Sequence, residues 1–381
     1  MSEQLWERPE AAFEDYSSTG LPEKIVVIGG GTGSSTVVRA LTQGIFTGEG
    51  VTAIATTFDD GGGTGELRKV YSELPAVGDI RQCLDAMSKL SPGALLALKR
   101  RFAGGDPSDR LNVEGQTLGN LMLAGILQSE LESGGTFSSA LKIAGEFWHA
   151  KGHVVPPSND IRTLVYDLPD GTRIFGEHNA EESSIPSFKG TQISFLDGRH
   201  DNCDDINGSI KPAEISDEAE DAIKDAVVIL APGDLYTSIA PNLAVRGMRD
   251  ALLSAKVVMM ISNLMNRSRH TANFSTFDYA EELTRIIGAH VIRRTLFSTT
   301  LPDERAIAEQ AKQGSHPVLP DVKSLKNRGY GPSGFDLVSR QKVAIDPNDV
   351  LGATRSQIRH DPAKIAAGIF NVYTSNGFSS K

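Results

Sequence analysis

Three glycine-bearing turns carry most of the chemistry legible in this chain. Gly29-Gly30-Gly31-Thr32-Gly33-Ser34-Ser35 follows the apolar run Lys24–Ile28 and precedes a helical pattern. Glycines let backbone amides approach an anion, and a helix N-terminus adds partial positive charge. The spacing departs from the dinucleotide fingerprint, since Gly29 and Gly31 fit but Ser34 stands at the third position. No P-loop lysine is present. The turn reads as a phosphate cradle formed by Gly30, Gly31, Thr32, Gly33 and Ser34; tight packing is the alternative.

Asp59-Asp60-Gly61-Gly62-Gly63-Thr64-Gly65 follows a second run. Backbone at Gly62, Gly63 and Thr64 would meet a ligand while Asp59 or Asp60 grips a ribose hydroxyl or magnesium. That ion takes one or two carboxylates plus water and phosphate oxygens. A solvated acidic turn has the same composition.

The third turn is Pro232-Gly233-Asp234-Leu235-Tyr236-Thr237-Ser238. The Thr237 and Ser238 hydroxyls would bind phosphate or cap the following helix. Asn242, one helical turn beyond Ser238, shares its side. Two lesser motifs accompany these turns. In Gly78-Asp79-Ile80-Arg81, Arg81 opposes the helix dipole unless it meets an anion or pairs with Asp79 or Asp85. In Asn112–Asn120, Gly119 implies close packing, and Asn120 bonds either ligand or backbone.

Other chemistries fail on spacing. His149 and His153 lack the carboxylate of a zinc protease. The cluster from His200 through Cys203 to Asp205 lies in a polar stretch rather than a metal cage. No Gly-x-Ser-x-Gly elbow exists.

The elements that would position these turns alternate. Lys24–Ile28, Val51–Thr57, Ala226–Leu230 and Lys256–Ser262 read as buried strands, with Ala289–Ile292 and Lys342–Ile345 as further candidates. Helical patterns occupy Ser34–Gln43, a stretch capped by Asp79, Leu118–Leu127, Ile239–Leu253, Tyr279–Ile287 and Ala363–Phe370. Thr163–Val165 and Thr172–Phe175 flank a hairpin turn. The expected fold is α/β: a Rossmann-like, doubly wound, mostly parallel sheet with helices on both faces and an inserted β-hairpin region near 150–215. Residues 1–22 read as an acidic arm, 23–375 as one domain and 376–381 as a tail. In such a sheet, ligands bind beyond the carboxyl ends of the strands, where the three turns would meet.

The 381 residues include 38 Lys plus Arg against 48 Asp plus Glu, a net charge of −10. That balance disfavours nucleic acid as a partner. Two cysteines, Cys83 and Cys203, support neither a disulfide framework nor a cysteine zinc site. The chain shows no signal-peptide pattern and no apolar run near the ~18 residues of a membrane helix. A cytoplasmic protein without membrane contact is expected.

The motifs, taken in order, resemble the CofD-like superfamily, which joins 2-phospho-L-lactate transferases to gluconeogenesis-factor proteins. The resemblance rests on GGGTGSS at 29–35, DDGGGTG at 59–65, GDIR at 78–81 and TLGNL at 117–121. It continues in PGDLYTSIAPNLAV at 232–245, NLM at 263–265 and IRHDP at 358–362. The PGDLYTSI form is closer to the gluconeogenesis-factor branch. The resemblance implies glycine loops that hold a nucleotide diphosphate. Carried over by position, the contacts are the first loop, Asp59, Asp60, Thr237, Ser238, Asn242 and Arg359. The matched motifs add Arg81, Asn120, Gly233, Tyr236 and Asn263. Relatives usually continue Thr-Gln-Pro-Gly-Glu-Thr after NLM, whereas this chain reads Asn266-Arg-Ser-Arg-His-Thr271.

The expected function is therefore a UDP-sugar-like nucleotide-sugar-binding regulatory protein. The alternative is a magnesium-dependent transferase of the 2-phospho-L-lactate type. It would move a phospho-acyl group from a nucleoside-diphosphate-linked donor to a hydroxyl acceptor, releasing nucleoside monophosphate. A nicotinamide-dependent oxidoreductase fits less well. Magnesium is the one cofactor implied, no tightly bound organic cofactor is expected, and a homodimer is left open.

Overall fold

The computed structural model describes residues 22–45, 50–61, 65, 67–68, 74–102, 113–185, 187–200, 209–341 and 358–375. Seven parallel strands form the main sheet in the order β10-β9-β8-β7-β1-β2-β3. They are β1 (Ile25–Gly29), β2 (Val51–Ala55), β3 (His153–Val155), β7 (Val227–Leu230), β8 (Val257–Ile261), β9 (Ile292–Ser298) and β10 (Pro332–Phe335). The central strands IVVIG, VVIL and VVMMI are wholly buried, as a sheet covered on both faces requires.

One face packs against helices Thr32–Ala40, Gly78–Met87, Leu118–Glu132, Phe137–Phe147 and Pro362–Ser375. The other packs against the helix Thr276–Ile287 and a small antiparallel sheet. That sheet has the order β5-β4-β6, with β4 (Arg162–Asp167), β5 (Arg173–Phe175) and β6 (Gln192–Asp197). The expected hairpin is the β4–β5 pair, and β6 extends it. Phe58, just past β2, meets Phe195 of β6 at 4.9 Å between ring centroids.

Several boundaries differ from expectation. Ile239–Leu253 is not one helix. A π-turn at Leu235–Ile239 runs into Ala240–Leu243, and a new helix starts at Met248 after Gly247 with φ +96°. Asp79 is not an N-cap, because the helix begins at Gly78 and Val77 holds that position. The strand expected at Ala289–Ile292 starts where that range ends, since Gly288 closes the preceding helix in the left-handed region. Lys342–Ile345, the N-terminal arm and the 376–381 tail lie outside the described residues. No helix among the described residues is long and apolar enough to cross a membrane.

Candidate functional site

The strand β1 pairs with β2 on one side and β7 on the other. The chain winds outward through β2 and β3, then returns across β1. The topological switch point therefore lies between β1 and β7, where open α/β sheets place their ligands. The first and third glycine turns flank this point.

They are in direct contact. A Cβ on Gly33 would overlap the Pro232 carbonyl oxygen. One on Gly30 would lie 2.6 Å from Ser238 Cβ and 2.8 Å from Asp79 Oδ2. One on Gly31 would overlap the Asp79 carboxylate and the Gln82 amide. The glycines thus let two crossovers and a neighbouring helix close on one spot. Thr32 joins them by donating from Oγ1 to Gln82 Oε1 at 3.2 Å.

Three buried polar atoms without partners lie in segments that follow parallel strands. They are Ser34 Oγ, Thr57 Oγ1 and Asn242 Oδ1, following β1, β2 and β7 respectively. Asn242 is fully buried, and its Nδ2 donates to Ser238 O at 2.9 Å and Gly29 O at 3.3 Å. An unpaired buried acceptor costs ~1–3 kcal/mol, so such atoms need an explanation.

The second turn adds carboxylates. Asp59 Oδ1 accepts the Gly61 N–H at 2.8 Å, and Asp60 Oδ1 accepts the His178 N–H at 2.7 Å. His178 lies in the helix Glu177–Glu182 of the inserted region. The carboxyl of Glu177 shares a hydrogen bond with Asp59. Burial raises the pKa of both, and the like charge of Asp59 adds to the effect on Glu177. Arg68 Nη1 donates to Asp59 O at 2.7 Å. Gly62, Gly63 and Thr64 lie outside the described residues. Among the described residues, no group of three or more His, Cys, Asp or Glu is arranged as a metal cage.

In the third turn the cap is Asp234, whose Oδ1 accepts the Tyr236 and Thr237 N–H groups at 3.1 Å. Burial alone would raise the Asp234 pKa. Arg267, His270 and the Thr237 bonds outweigh it and hold the carboxyl below its usual range. Tyr236 turns into the core and donates to Glu282 Oε1 at 2.9 Å. Thr237 is buried and Ser238 faces Gly30. Asn263 bonds both polar groups of Gly233.

The remaining expected residues are engaged elsewhere. Arg81 pairs with Asp85 at 2.5 Å, one of the two carboxylates the sequence offered it. Its Nε donates to Asn120 Oδ1 at 2.7 Å. A Cβ on Gly119 would lie 2.7 Å from Arg81 Cδ, which accounts for that glycine. Arg359 Nη1 bonds Ile358 O at 3.2 Å. The basic loop meets the inserted acidic helix. Arg267 pairs with Glu181 at 2.8 Å and Asp234 at 3.1 Å, and Arg269 Nη1 donates to Glu182 O at 3.0 Å.

Glu177, His178, Gln82 and the capping role of Asp234 were not read from the sequence. Gln82 lies one residue past the GDIR motif, and Asp234 sits inside the third turn. Those positions were the available signals. Glu177 and His178 lie far from Asp59 in sequence and gave none.

A family model described as 2-phospho-L-lactate transferase CofD matches residues 25–337. The chain belongs to the CofD family. It is 32% identical over 345 residues to a putative gluconeogenesis factor of Thermotoga maritima, covering 90% of this chain and 97% of that one. It is 30% identical over 351 residues to the gluconeogenesis factor of Bacillus subtilis, covering 91% and 97%. A crystal structure of a UPF0052 family member from Bacillus halodurans superimposes with TM-score 0.75 at 28% identity, covering 91% of this chain and 99% of that one. Among CofD family members, the two relatives named here carry the gluconeogenesis-factor name.

Proposed function

We propose that this CofD family member is a nucleotide-sugar-binding regulatory protein that holds a nucleotide diphosphate at the β1–β7 switch point. The observation that carries the reading is the contact between the Gly29–Gly33 and Pro232–Ser238 turns, with unpartnered polar atoms of Ser34 and Asn242 beside it. The diphosphate would lie over the first turn, on the amides of Gly30 to Ser34, with Ser238 and Thr237 beside it. The names of the relatives favour regulation over turnover.

A second reading, a magnesium-dependent transferase, is favoured by the acids of the second turn. Asp59 and Asp60 would hold the ion only together with phosphate oxygens and water, since both carboxylates already accept backbone N–H bonds. The ion would neutralise charge developing on the transferred group.

Calorimetric titration with UDP-N-acetylglucosamine, GDP and NAD, each with and without magnesium, tests both readings. UDP-sugar binding that ignores magnesium and yields no product supports the first. GDP binding that requires magnesium and is lost in Asp60→Asn supports the second. Silence toward all three ligands overturns both.

A further inference from the structure

A cavity of about 480 Å³, within the range of small-molecule sites, lies away from the switch point. It opens between the start of β6, the segment from Leu243 to Asp250 and the end of the helix Thr276–Ile287. That helix leads into β9, so its last residues lie toward the amino edge of the parallel sheet. The glycine turns sit at the carboxyl edge.

Three arginines line the cavity. Arg246 comes from the turn before the helix Met248–Ser254, Arg249 from that helix, and Arg285 from the helix Thr276–Ile287. Arg285 is firmly held. Its Nε and Nη2 donate to the Glu282 carboxylate at 3.0 and 2.8 Å, and Nη2 also donates to Thr191 O at 2.5 Å. Glu282 Oε1 is fixed in turn by the Tyr236 hydroxyl and the Gly190 N–H, both at 2.9 Å. Arg246 spends the same two nitrogens on Glu214. Both pairs are neutral, yet each fork keeps the two N–H donors of Nη1. Arg249 has neither hydrogen bond nor ion pair among the described residues. Its Cδ passes 4.0 Å from where a Cβ on Gly288 would stand, which sets its stem beside the end of the Thr276–Ile287 helix.

A second observation points to a ligand. Thr191 lines the cavity and is fully buried, and its Oγ1 has no hydrogen-bond partner. Its amide and carbonyl are already used, by Phe188 O and Arg285. A buried hydroxyl left without a partner is destabilising until a bound group completes it. Asp250 is the one carboxylate among the lining residues.

We infer that this cavity binds a phosphate monoester on a hydroxylated carbon frame, that is, a sugar phosphate. Guanidinium forks match phosphate oxygens in geometry as well as charge. Asp250 disfavours a bare anion but accepts hydrogen bonds from sugar hydroxyls, so it selects the ester over the free ion. Ile193, Val245 and Ile287 line the walls against the carbon frame. This inference is independent of what the switch point binds.

Isothermal calorimetry of the full chain with glucose 6-phosphate is the test, with glucose and inorganic sulfate as controls. Glucose 6-phosphate should bind, glucose should not, and sulfate should bind about tenfold more weakly or not at all. Arg249→Gln changes an exposed side chain, so its melting curve should match wild type while affinity for glucose 6-phosphate falls about tenfold. Thr191→Val should also weaken binding yet melt no lower than wild type, because it deletes an unpaired hydroxyl. Neither variant should alter a titration with UDP-N-acetylglucosamine. No response to glucose 6-phosphate, equal affinity for sulfate (an adventitious ion only), or wild-type affinity in either variant would overturn the inference. So would variants that weaken both ligands in parallel, since that outcome moves the sugar phosphate to the switch point.

Discussion

Asn263 brackets Gly233. Its Oδ1 accepts the Gly233 N–H at 2.9 Å, and its Nδ2 donates to the Gly233 carbonyl at 2.7 Å. One side chain just past β8 therefore ties the third turn to the end of that strand. Asn263→Ala should cost ~1–3 kcal/mol, the range for partners left unmade in a partly buried site. Calorimetric titration should also show weaker nucleotide binding, because the turn loses its anchor. A variant with unchanged melting would remove this role.

Glycines in this chain divide into those that contacts demand and those that contacts ignore. Gly33→Ala would drive a methyl into the Pro232 carbonyl and should lower the folded yield sharply. Gly145→Ala meets nothing within 4 Å and should stabilise by about 0.5–1 kcal/mol through helix propensity alone. Chemical denaturation of the two variants side by side checks the contrast.

The Asp59–Glu177 pair predicts a pH slope. Glu177 has a folded pKa well above its ordinary value, chiefly from burial and then from Asp59. The folded state therefore binds a proton that the unfolded state releases first. Stability from this group is present below the ordinary carboxylate range and is lost as pH rises through the raised pKa. Glu177→Gln should flatten that decline and melt higher than wild type at neutral pH. Scanning calorimetry across the acid-to-neutral range would show it, and parallel curves for the two proteins would count against the pair.

His360 acts with the opposite sign. Its Nε2 lies 3.1 Å from Ser262 O, and burial, reinforced by Arg359, lowers its pKa to about 4. The folded state keeps it neutral, so its contribution is full above pH ~6.5 and fades toward the folded value. His360→Gln should reduce the loss of stability on acidification. An NMR titration of the imidazole that gives an ordinary midpoint would refute the assignment.

The fold was largely legible because its central strands are β-branched runs, and IVVI and VVIL have no stable home outside a doubly covered sheet. Glycine turns at their ends placed the switch point. The edges were harder. The strand β10 reads Pro-Ser-Gly-Phe, with no apolar run and a proline tolerated only because it begins an edge strand. The strand β6 alternates in QISFLD and lies beyond a hairpin that already looked complete. In the site, Tyr236 sat in a ligand-like motif, yet its ring fills the core and its hydroxyl bonds Glu282. Arg81 offered two readings, and the nearby Asp85 takes its charge. Glu177 had no signal, because its partnership with Asp59 exists only once the inserted sheet folds back.

The order of the main sheet also constrains how the chain is made. Ile25 of β1 pairs with Val227, which emerges roughly 200 residues later. At synthesis rates of about 5–20 residues per second, one edge of β1 waits on the order of ten to forty seconds for its neighbour. Through that interval a bare apolar ribbon invites wrong pairing. Chaperone dependence during translation should therefore concentrate in the first half of the chain and end once β7 has left the ribosome.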